Sequence, residues 1–306
     1  PLEVLEVAQK ELLDFQNTGM SVMELSHRSA TFEAVHNGAI ELLRKIYKIP
    51  DNYEVLFLQG GASLQFTMIP MNFLSEGKTA SYVQTGAWSE KAFKEAKFFG
   101  TPVEAASTKE NKYKNIPSQE DIKFNADDAY VHITSNNTIF GTQWKVFPDT
   151  GDVPLVADMS SDILSKPVDV SKFGIIYAGA QKNLGPSGVT VVIIRKDLLE
   201  KANTNIPTML KYTTHADNNS LYNTPPTFGI YMLGEVLKWV EAQGGLEKVA
   251  QNNEEKAALI YDVIDASNGF YYGHAEEGSR SLMNITFRVA DEELEKKFLA
   301  EAKEAG

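Results

Sequence analysis

The chain has 306 residues, and its 29 basic and 41 acidic side chains give it a net charge of −12. This balance disfavours a nucleic-acid-binding protein, which needs a clustered basic surface. The sequence contains no cysteine, which excludes disulfides, thiolate metal sites and a cysteine nucleophile; we predict no metal site. Its apolar runs fall far short of the roughly 20 residues that cross a bilayer, so we predict no membrane segment. The chain length predicts about two globular domains.

The chain begins with two predicted amphipathic helices, because apolar residues recur at helical spacing over 2–15 and again over 31–47. Pro1 is not an initiating Met, and the helical run over 291–306 stops without a following element. We therefore expect a chain that is trimmed at both ends.

A strand over 54–58, a glycine turn from Gly60 to Ser63 and a helix over 64–73 come next. Strands and helices then alternate, and most strands are apolar on both faces. This pattern indicates a largely parallel sheet that is covered by helices on both sides. The later strands are predicted at 79–84, 102–105, 129–134, 153–157, 174–178 and 189–195, with helices at 88–98 and 229–241.

The pattern changes near the C-terminus, where a helix over 246–264 and an alternating strand over 281–289 precede the last helix. Gly244 is the predicted boundary between two domains. Residues 1–244 would form a large cofactor-binding domain and residues 245–306 a smaller one, on which the N-terminal helix is a candidate to pack.

In an open α/β sheet, ligands bind beyond the carboxyl ends of the strands, so the residues after each strand are the candidates. The turn Gly60-Gly61-Ala62-Ser63 leaves backbone amides free at a helix N-terminus and adds a hydroxyl, which suits a phosphate. The alternative is a tight connection without a ligand. The turn lacks the lysine of a P-loop and the spacing of a dinucleotide fingerprint.

Two charged side chains follow later strands. Asp158 could hold a cationic ring nitrogen, with Ser160 donating to a phosphate; a helix N-cap is the alternative. Lys182 lies between two apolar strands among small residues, where lost hydration lowers the pKa of an amine and makes it nucleophilic. A solvated surface lysine is the alternative.

An aromatic ring and a hydroxyl complete the set. Trp88 follows a strand and offers a flat face, although core packing is the default for Trp. Thr138 ends the polar run that starts at Ser135, which is otherwise an ordinary turn. A phosphate turn, a stacking ring, a hydroxyl, an acid for a ring nitrogen and a lysine for an imine are what pyridoxal phosphate requires.

Seven segments, in the same chain order, resemble the hallmark segments of the phosphoserine aminotransferase family, which belongs to the class-V aminotransferases of fold-type I. They are Ser26-His27-Arg28-Ser29, Gln59-Gly60-Gly61-Ala62, Gly86-Ala87-Trp88-Ser89, Ala157-Asp158-Met159-Ser160-Ser161, Lys166-Pro167-Val168-Asp169, Gly179-Ala180-Gln181-Lys182-Asn183 and Tyr222-Asn223-Thr224-Pro225-Pro226. The resemblance covers nearly the whole chain. It implies an α/β fold whose large domain has a mainly parallel seven-stranded sheet between helices, with a smaller α+β C-terminal domain that is incomplete here.

The resemblance also implies a role for each candidate residue. Lys182 would be the Schiff-base lysine, Asp158 the partner of the pyridinium nitrogen, Trp88 the stacking ring and Thr138 the partner of the ring hydroxyl. The cofactor phosphate would be held by Ala62, Ser63, Ser160 and Gln181, with Asn223 and Thr224 from the second subunit of a homodimer. His27 and Arg28 would bind the substrate, with Arg28 at its phosphate.

By the same resemblance, the enzyme would transfer the amino group between O-phospho-L-serine and 2-oxoglutarate, giving 3-phosphohydroxypyruvate and L-glutamate. This cytoplasmic reaction belongs to serine biosynthesis and, in some bacteria, to pyridoxine biosynthesis. Two departures stand out: some members have an arginine where Ser63 stands, and the family's second His-Arg pair and a further arginine lie beyond a point like Gly306. A serine–pyruvate or glyoxylate-type aminotransferase of the same fold, or a catalytically silent binding relative, are the alternatives.

Overall fold

The computed structural model describes residues 1–306 and contains nine α-helices and eleven β-strands. The helices are α1 (Leu2–Glu11), α2 (Ala30–Tyr47), α3 (Gly61–Phe73), α4 (Ala87–Ala96), α5 (Lys196–Lys201), α6 (Tyr212–Asp217), α7 (Thr227–Ala242), α8 (Gly245–Ala266) and α9 (Glu292–Ala305). The strands are β1 (Tyr53–Leu58), β2 (Thr79–Gln84), β3 (Thr101–Ser107), β4 (Val131–Thr134), β5 (Asn136–Asn137), β6 (Thr142–Gln143), β7 (Leu155–Asp158), β8 (Ile175–Gly179), β9 (Thr190–Arg195), β10 (Tyr271–Gly273) and β11 (Phe287–Val289).

Seven strands form one sheet in the order β1-β9-β8-β7-β4-β2-β3. The strands from β3 to β8 in this order pair in parallel, whereas β9 is antiparallel to both β8 and β1. Only β9 therefore runs against the other six strands. The predicted seven-stranded, mainly parallel sheet is confirmed.

The sheet separates two apolar layers, because successive side chains on a strand point to opposite faces. Phe57 and Ile176 pack in the cluster that includes α1, α2 and α7. Their chain neighbours Leu56 and Ile175 pack in the cluster that includes α3 and α4. This arrangement explains why the strands are apolar at nearly every position.

The C-terminal part consists of α8, the two-stranded β10-β11 sheet and α9. Gly244 and Gly245 join α7 to α8 with φ angles of +102° and +79°, and the domain boundary at this place stays a prediction. At the other end of the chain, α1 packs against α7 and buries Val4 and Ala8 there.

The predicted strand over 281–289 is wrong over most of its length, because only Phe287–Val289 is a strand. The residues before it hydrogen-bond to the hairpin of β5 and β6 instead. Ser281 Oγ donates to Asn136 Oδ1 at 2.6 Å, and the Leu282 amide donates to Gln143 Oε1 at 3.0 Å. These bonds involve side chains and do not form a strand ladder. No helix in the chain is both long and apolar enough to cross a membrane.

Candidate active site

A polar cavity of about 130 Å³ lies where five strands of the large sheet end, the edge at which open α/β sheets bind ligands. Its lining residues are Gly61, Ala62, Ser63, Trp88, Thr134, Asn136, Thr138, Asp158, Ser160, Ser161, Gln181 and Lys182. Eight of these twelve residues are predicted site residues. Three larger cavities have volumes of about 490, 460 and 290 Å³. Only the second of them reaches a predicted residue, Lys182.

The glycine turn after β1 forms one wall of the cavity. Gly60 and Gly61 have φ angles of +89° and +65°, a backbone conformation that other residues adopt at a cost. A Cβ atom on Gly60 would also lie 2.5 Å from Leu64 Cδ2. Because no side chain caps the start of α3, the first amides of this helix are free for an anionic group.

Asp158 ends β7 and is almost fully buried. Its Oδ1 accepts hydrogen bonds from the Ser160 amide at 2.9 Å and from Ser160 Oγ at 2.6 Å, so it caps the turn that follows, although no helix begins there. Burial raises the pKa of the Asp158 carboxyl, against the opposing effects of the Ser160 hydrogen bonds and the Lys182 charge. The other carboxylate oxygen, Oδ2, is not engaged by these bonds and remains for a cationic ligand atom.

Lys182 lies in the turn between β8 and β9, at the same edge of the sheet as Asp158. Its Nζ donates to Thr138 Oγ1 at 2.7 Å and lies 5.7 Å from the centroid of the Trp88 ring. Partial burial lowers the pKa of the Lys182 amine, although the charges of Asp158 and Asp162 oppose this shift. The amine is thus held over the cavity, and burial makes its neutral form more accessible than that of a solvated lysine.

Trp88 lies in the first turn of α4, and its Nε1 is buried without a hydrogen-bond partner. The start of α4 packs against the hairpin that carries Thr138. A Cβ atom on Gly86 would lie 2.9 Å from Asn137 Oδ1, so this close approach requires glycine. The contact brings the stacking ring and the hydroxyl to the same cavity.

The two remaining phosphate candidates in the cavity differ in their hydrogen bonds. Ser160 Oγ donates to Asp158 and accepts from the Gly179 amide at 3.1 Å. In this arrangement its hydrogen points to the carboxylate and not to a phosphate. Gln181 lines the cavity directly and makes no such internal bond.

Four predicted residues do not line this cavity. Asn223 borders a separate cavity with Gln59, and the Thr224 carbonyl accepts a hydrogen bond from Gln59 Nε2 at 3.3 Å. His27 and Arg28 lie before α2, where Arg28 is exposed. The roles of these four residues remain predictions.

Three polar residues of the cavity were missed by the sequence analysis: Thr134, Asn136 and Ser161. A signal was present, because all three lie in polar runs at the ends of β4 and β7. The sequence analysis selected only Thr138 from the first run and Asp158 and Ser160 from the second.

Comparison with known proteins identifies the family. The aminotransferase class-V family matches residues 1–305. This chain belongs to the class-V aminotransferase family. A phosphoserine aminotransferase of Lysinibacillus sphaericus (strain C3-41) is 78% identical over 306 residues, which are 100% of this chain and 84% of that protein.

Solved structures of class-V aminotransferases agree with this assignment. The phosphoserine aminotransferase from Bacillus circulans subsp. alkalophilus superimposes with a TM-score of 0.98 at 60% identity, covering 100% of this chain and 85% of that chain. The pyridoxal-phosphate-bound phosphoserine aminotransferase from Trichomonas vaginalis has a TM-score of 0.93 at 39% identity, covering 100% and 87%. The predicted resemblance, the fold class, the enzyme class and the cofactor are confirmed: the chain is a pyridoxal-phosphate-dependent transaminase.

The cavity residues of this class-V aminotransferase fit pyridoxal phosphate. The free oxygen of Asp158 suits the ring nitrogen, the amides at the start of α3 suit the phosphate, and the Lys182 amine suits the aldehyde. The Trp88 side chain lines the cavity, and its indole offers a flat apolar face against which the cofactor ring can stack.

Proposed function

We propose that this transaminase interconverts 3-phosphohydroxypyruvate and L-glutamate with O-phospho-L-serine and 2-oxoglutarate, as a cytoplasmic step of serine biosynthesis. The names of the similar proteins support this choice of substrates. The observation in this chain that supports a phosphorylated substrate concerns its five arginines. Arg28 is the only one that has no carboxylate partner.

The other four arginines are each within ion-pair distance of an acidic residue. The pairs are Arg44–Glu54, Arg195–Asp197, Arg280–Asp265 and Arg288–Glu295. Since a guanidinium binds a phosphate through the same paired N–H donors that bind a carboxylate, Arg28 keeps those donors for a ligand. The adjacent His27 supports a ligand at this place, because its Nε2 is a buried nitrogen without a hydrogen-bond partner.

Pyridoxal phosphate supplies a carbonyl carbon that accepts an amine and a ring that withdraws electrons from the carbon next to it. Lys182 Nζ would act as the general base and acid: it would take the proton from the substrate Cα and deliver it to the cofactor carbon that carries the aldehyde. Its lowered pKa favours the neutral amine that accepts this proton. Thr138 Oγ1, at 2.7 Å, orients the amine.

Asp158 would hold a proton on the ring nitrogen through its charge. A buried carboxylate without a cationic partner is unfavourable, and a protonated ring nitrogen would relieve this cost. Ser160 would orient this carboxylate, to which its hydroxyl donates. Trp88 would cover the ring face and exclude water. The amides of Ala62 and Ser63, together with Gln181, would bind the phosphate.

We also propose a homodimer in which Asn223 and Thr224 complete the phosphate site of the partner subunit. Both side chains are exposed, and neither makes a hydrogen bond within the chain. Pro225 and Pro226 follow them and stiffen an extended segment. The Thr224 carbonyl accepts a hydrogen bond from Gln59, the residue before the glycine turn. The segment therefore lies close to the phosphate end of the cavity in its own subunit.

The substitution Arg28→Ala tests the substrate assignment. We expect it to lower kcat/KM for phosphoserine by an amount equivalent to about 1.5 to 3 kcal/mol, which is the contribution of a hydrogen bond to a charged group. The kcat/KM for unphosphorylated serine should stay nearly unchanged. Arg288→Ala is the matched control, because Arg288 is exposed and already paired with Glu295. Equal losses for both substrates would favour an aminotransferase for small unphosphorylated amino acids.

A further inference from the structure

A second buried carboxylate, Asp162, lies behind the wall of the active-site cavity. It is almost fully buried and does not line the cavity. Its Oδ1 accepts a hydrogen bond from Ser135 Oγ, and its Oδ2 accepts one from Gln143 Nε2 at 3.1 Å. The mechanism above gives Asp162 no role.

The two donors to Asp162 lead to different parts of the active site. Ser135 directly precedes β5, and its amide donates to the Asp158 carbonyl at 2.9 Å. Gln143 lies in β6, on the opposite arm of the hairpin that carries Thr138. Asp162 therefore ties both arms of this hairpin to the loop that follows Asp158.

The orientation of the Gln143 amide is fixed from both sides. Its Oε1 accepts the Leu282 amide at 3.0 Å, so its NH₂ group must face Asp162. The Ser135 hydroxyl also lies 2.9 Å from the Asp158 carbonyl, and its single hydrogen reaches one of these two acceptors at a time. No ion pair neutralises the Asp162 carboxylate: Lys166 acts on it through its charge, while Lys166 Nζ donates to the Trp144 carbonyl at 3.0 Å.

We propose that Asp162 is a positioning residue for the cofactor: its two hydrogen bonds hold the hairpin so that Thr138 meets Lys182 and Asp158. This inference rests on the proposed roles of those three residues. Burying a carboxylate without a cation costs stability. The hydrogen bonds from Ser135 and Gln143 offset part of this cost.

Reversing the polarity of the Asp162–Gln143 pair tests the proposal. In Asp162→Asn the new amide can flip, turning its oxygen to the Gln143 NH₂ group and its NH₂ group to the Ser135 hydroxyl, which then donates to the Asp158 carbonyl; we expect this variant alone to have a small effect. Gln143→Glu places two carboxylates opposite each other. The double variant Asp162→Asn/Gln143→Glu restores every donor–acceptor pair with the same net charge.

The readout is the Kd of pyridoxal 5'-phosphate, titrated by absorbance into cofactor-stripped protein, together with Tm. We expect Gln143→Glu to weaken binding at least tenfold, Asp162→Asn to weaken it less, and the double variant to return within threefold of the original protein. Asp128→Asn is the matched control. Asp128 is a buried carboxylate that accepts from Ser81 Oγ at 2.6 Å, at the opposite end of the sheet, and its loss should lower Tm without changing Kd.

Three results would overturn the proposal: a Gln143→Glu variant with unchanged Kd, a double variant as weak as Gln143→Glu, or an Asp128→Asn variant with the same loss of affinity. If Gln143→Glu does not fold, Gln143→Met removes the hydrogen bond to Asp162 and must weaken binding; unchanged binding would count against the proposal. Borohydride reduction and peptide mapping of the unaltered protein check the proposed function separately. A label on a lysine other than Lys182 would refute that function, however the Asp162 variants behave.

Discussion

The contact between Gly86 and the Thr138 hairpin is the sharpest packing constraint at the active site. In Gly86→Ala, the new Cβ atom would lie 2.9 Å from Asn137 Oδ1 and 3.2 Å from Phe140 Cδ2. Backbone strain does not contribute, because Gly86 has an extended φ of 171°. The effect of this substitution is therefore purely one of overpacking.

The magnitude follows from how firmly Asn137 is held. Its Oδ1 accepts from Thr85 Oγ1 at 3.1 Å, and its Nδ2 donates to Thr142 Oγ1 at 3.1 Å. Moving the amide away weakens both bonds, each worth about 1 kcal/mol, and overpacking of a close contact costs about 1 to 3 kcal/mol. We expect Tm to fall by roughly 2 to 4 °C for each kcal/mol lost.

The assay combines thermal unfolding with titration of pyridoxal 5'-phosphate. Because Gly86 separates α4, which carries Trp88, from the hairpin, we expect about tenfold weaker binding, equivalent to about 1.4 kcal/mol. Gly278→Ala is the control, since Gly278 is exposed and a Cβ atom there meets nothing within 4 Å. A Gly86→Ala variant with the Tm and affinity of the control would refute the argument.

Three further predictions use other parts of the molecule. Lys182→Ala should abolish the absorbance of the bound cofactor and turnover, whereas Lys91→Ala, whose amine lies 4.3 Å from the Trp88 ring, should keep both; retained absorbance in the first variant would contradict the assignment. Mixing inactive Lys182→Ala and Thr224→Ala subunits should restore activity in verified heterodimers, and no recovery would count against shared sites. Burial lowers the pKa of His132 to about 3, so the folded state binds fewer protons than the unfolded state below pH 6.5. The free energy of unfolding, measured by urea unfolding, should fall by about 2 kcal/mol between pH 6.5 and pH 5. His132→Gln should lose this part of the pH dependence, and a variant with an unchanged pH dependence would refute the role of His132.

The sequence alone determined the sheet, its two helical layers and eight residues of the cavity. Strands such as β8 and β9 are apolar at nearly every position, and this composition requires cover on both faces. Asp158 and Lys182 stand out because Asp158 ends such a strand and Lys182 lies in the turn after another. Information of this kind is local, since it depends only on the chemistry of consecutive residues.

The tertiary structure decided the direction of β9 and the contacts of residues 281–286. The apolar run of β9 reads the same in either direction, so its pattern cannot show that it runs against its neighbours. The hydrogen bonds that join Leu282 to Gln143 and Gln143 to Asp162 connect residues far apart in the chain. Each partner is an ordinary polar residue in its own segment, and its function is defined only when folding brings the donor and the acceptor together.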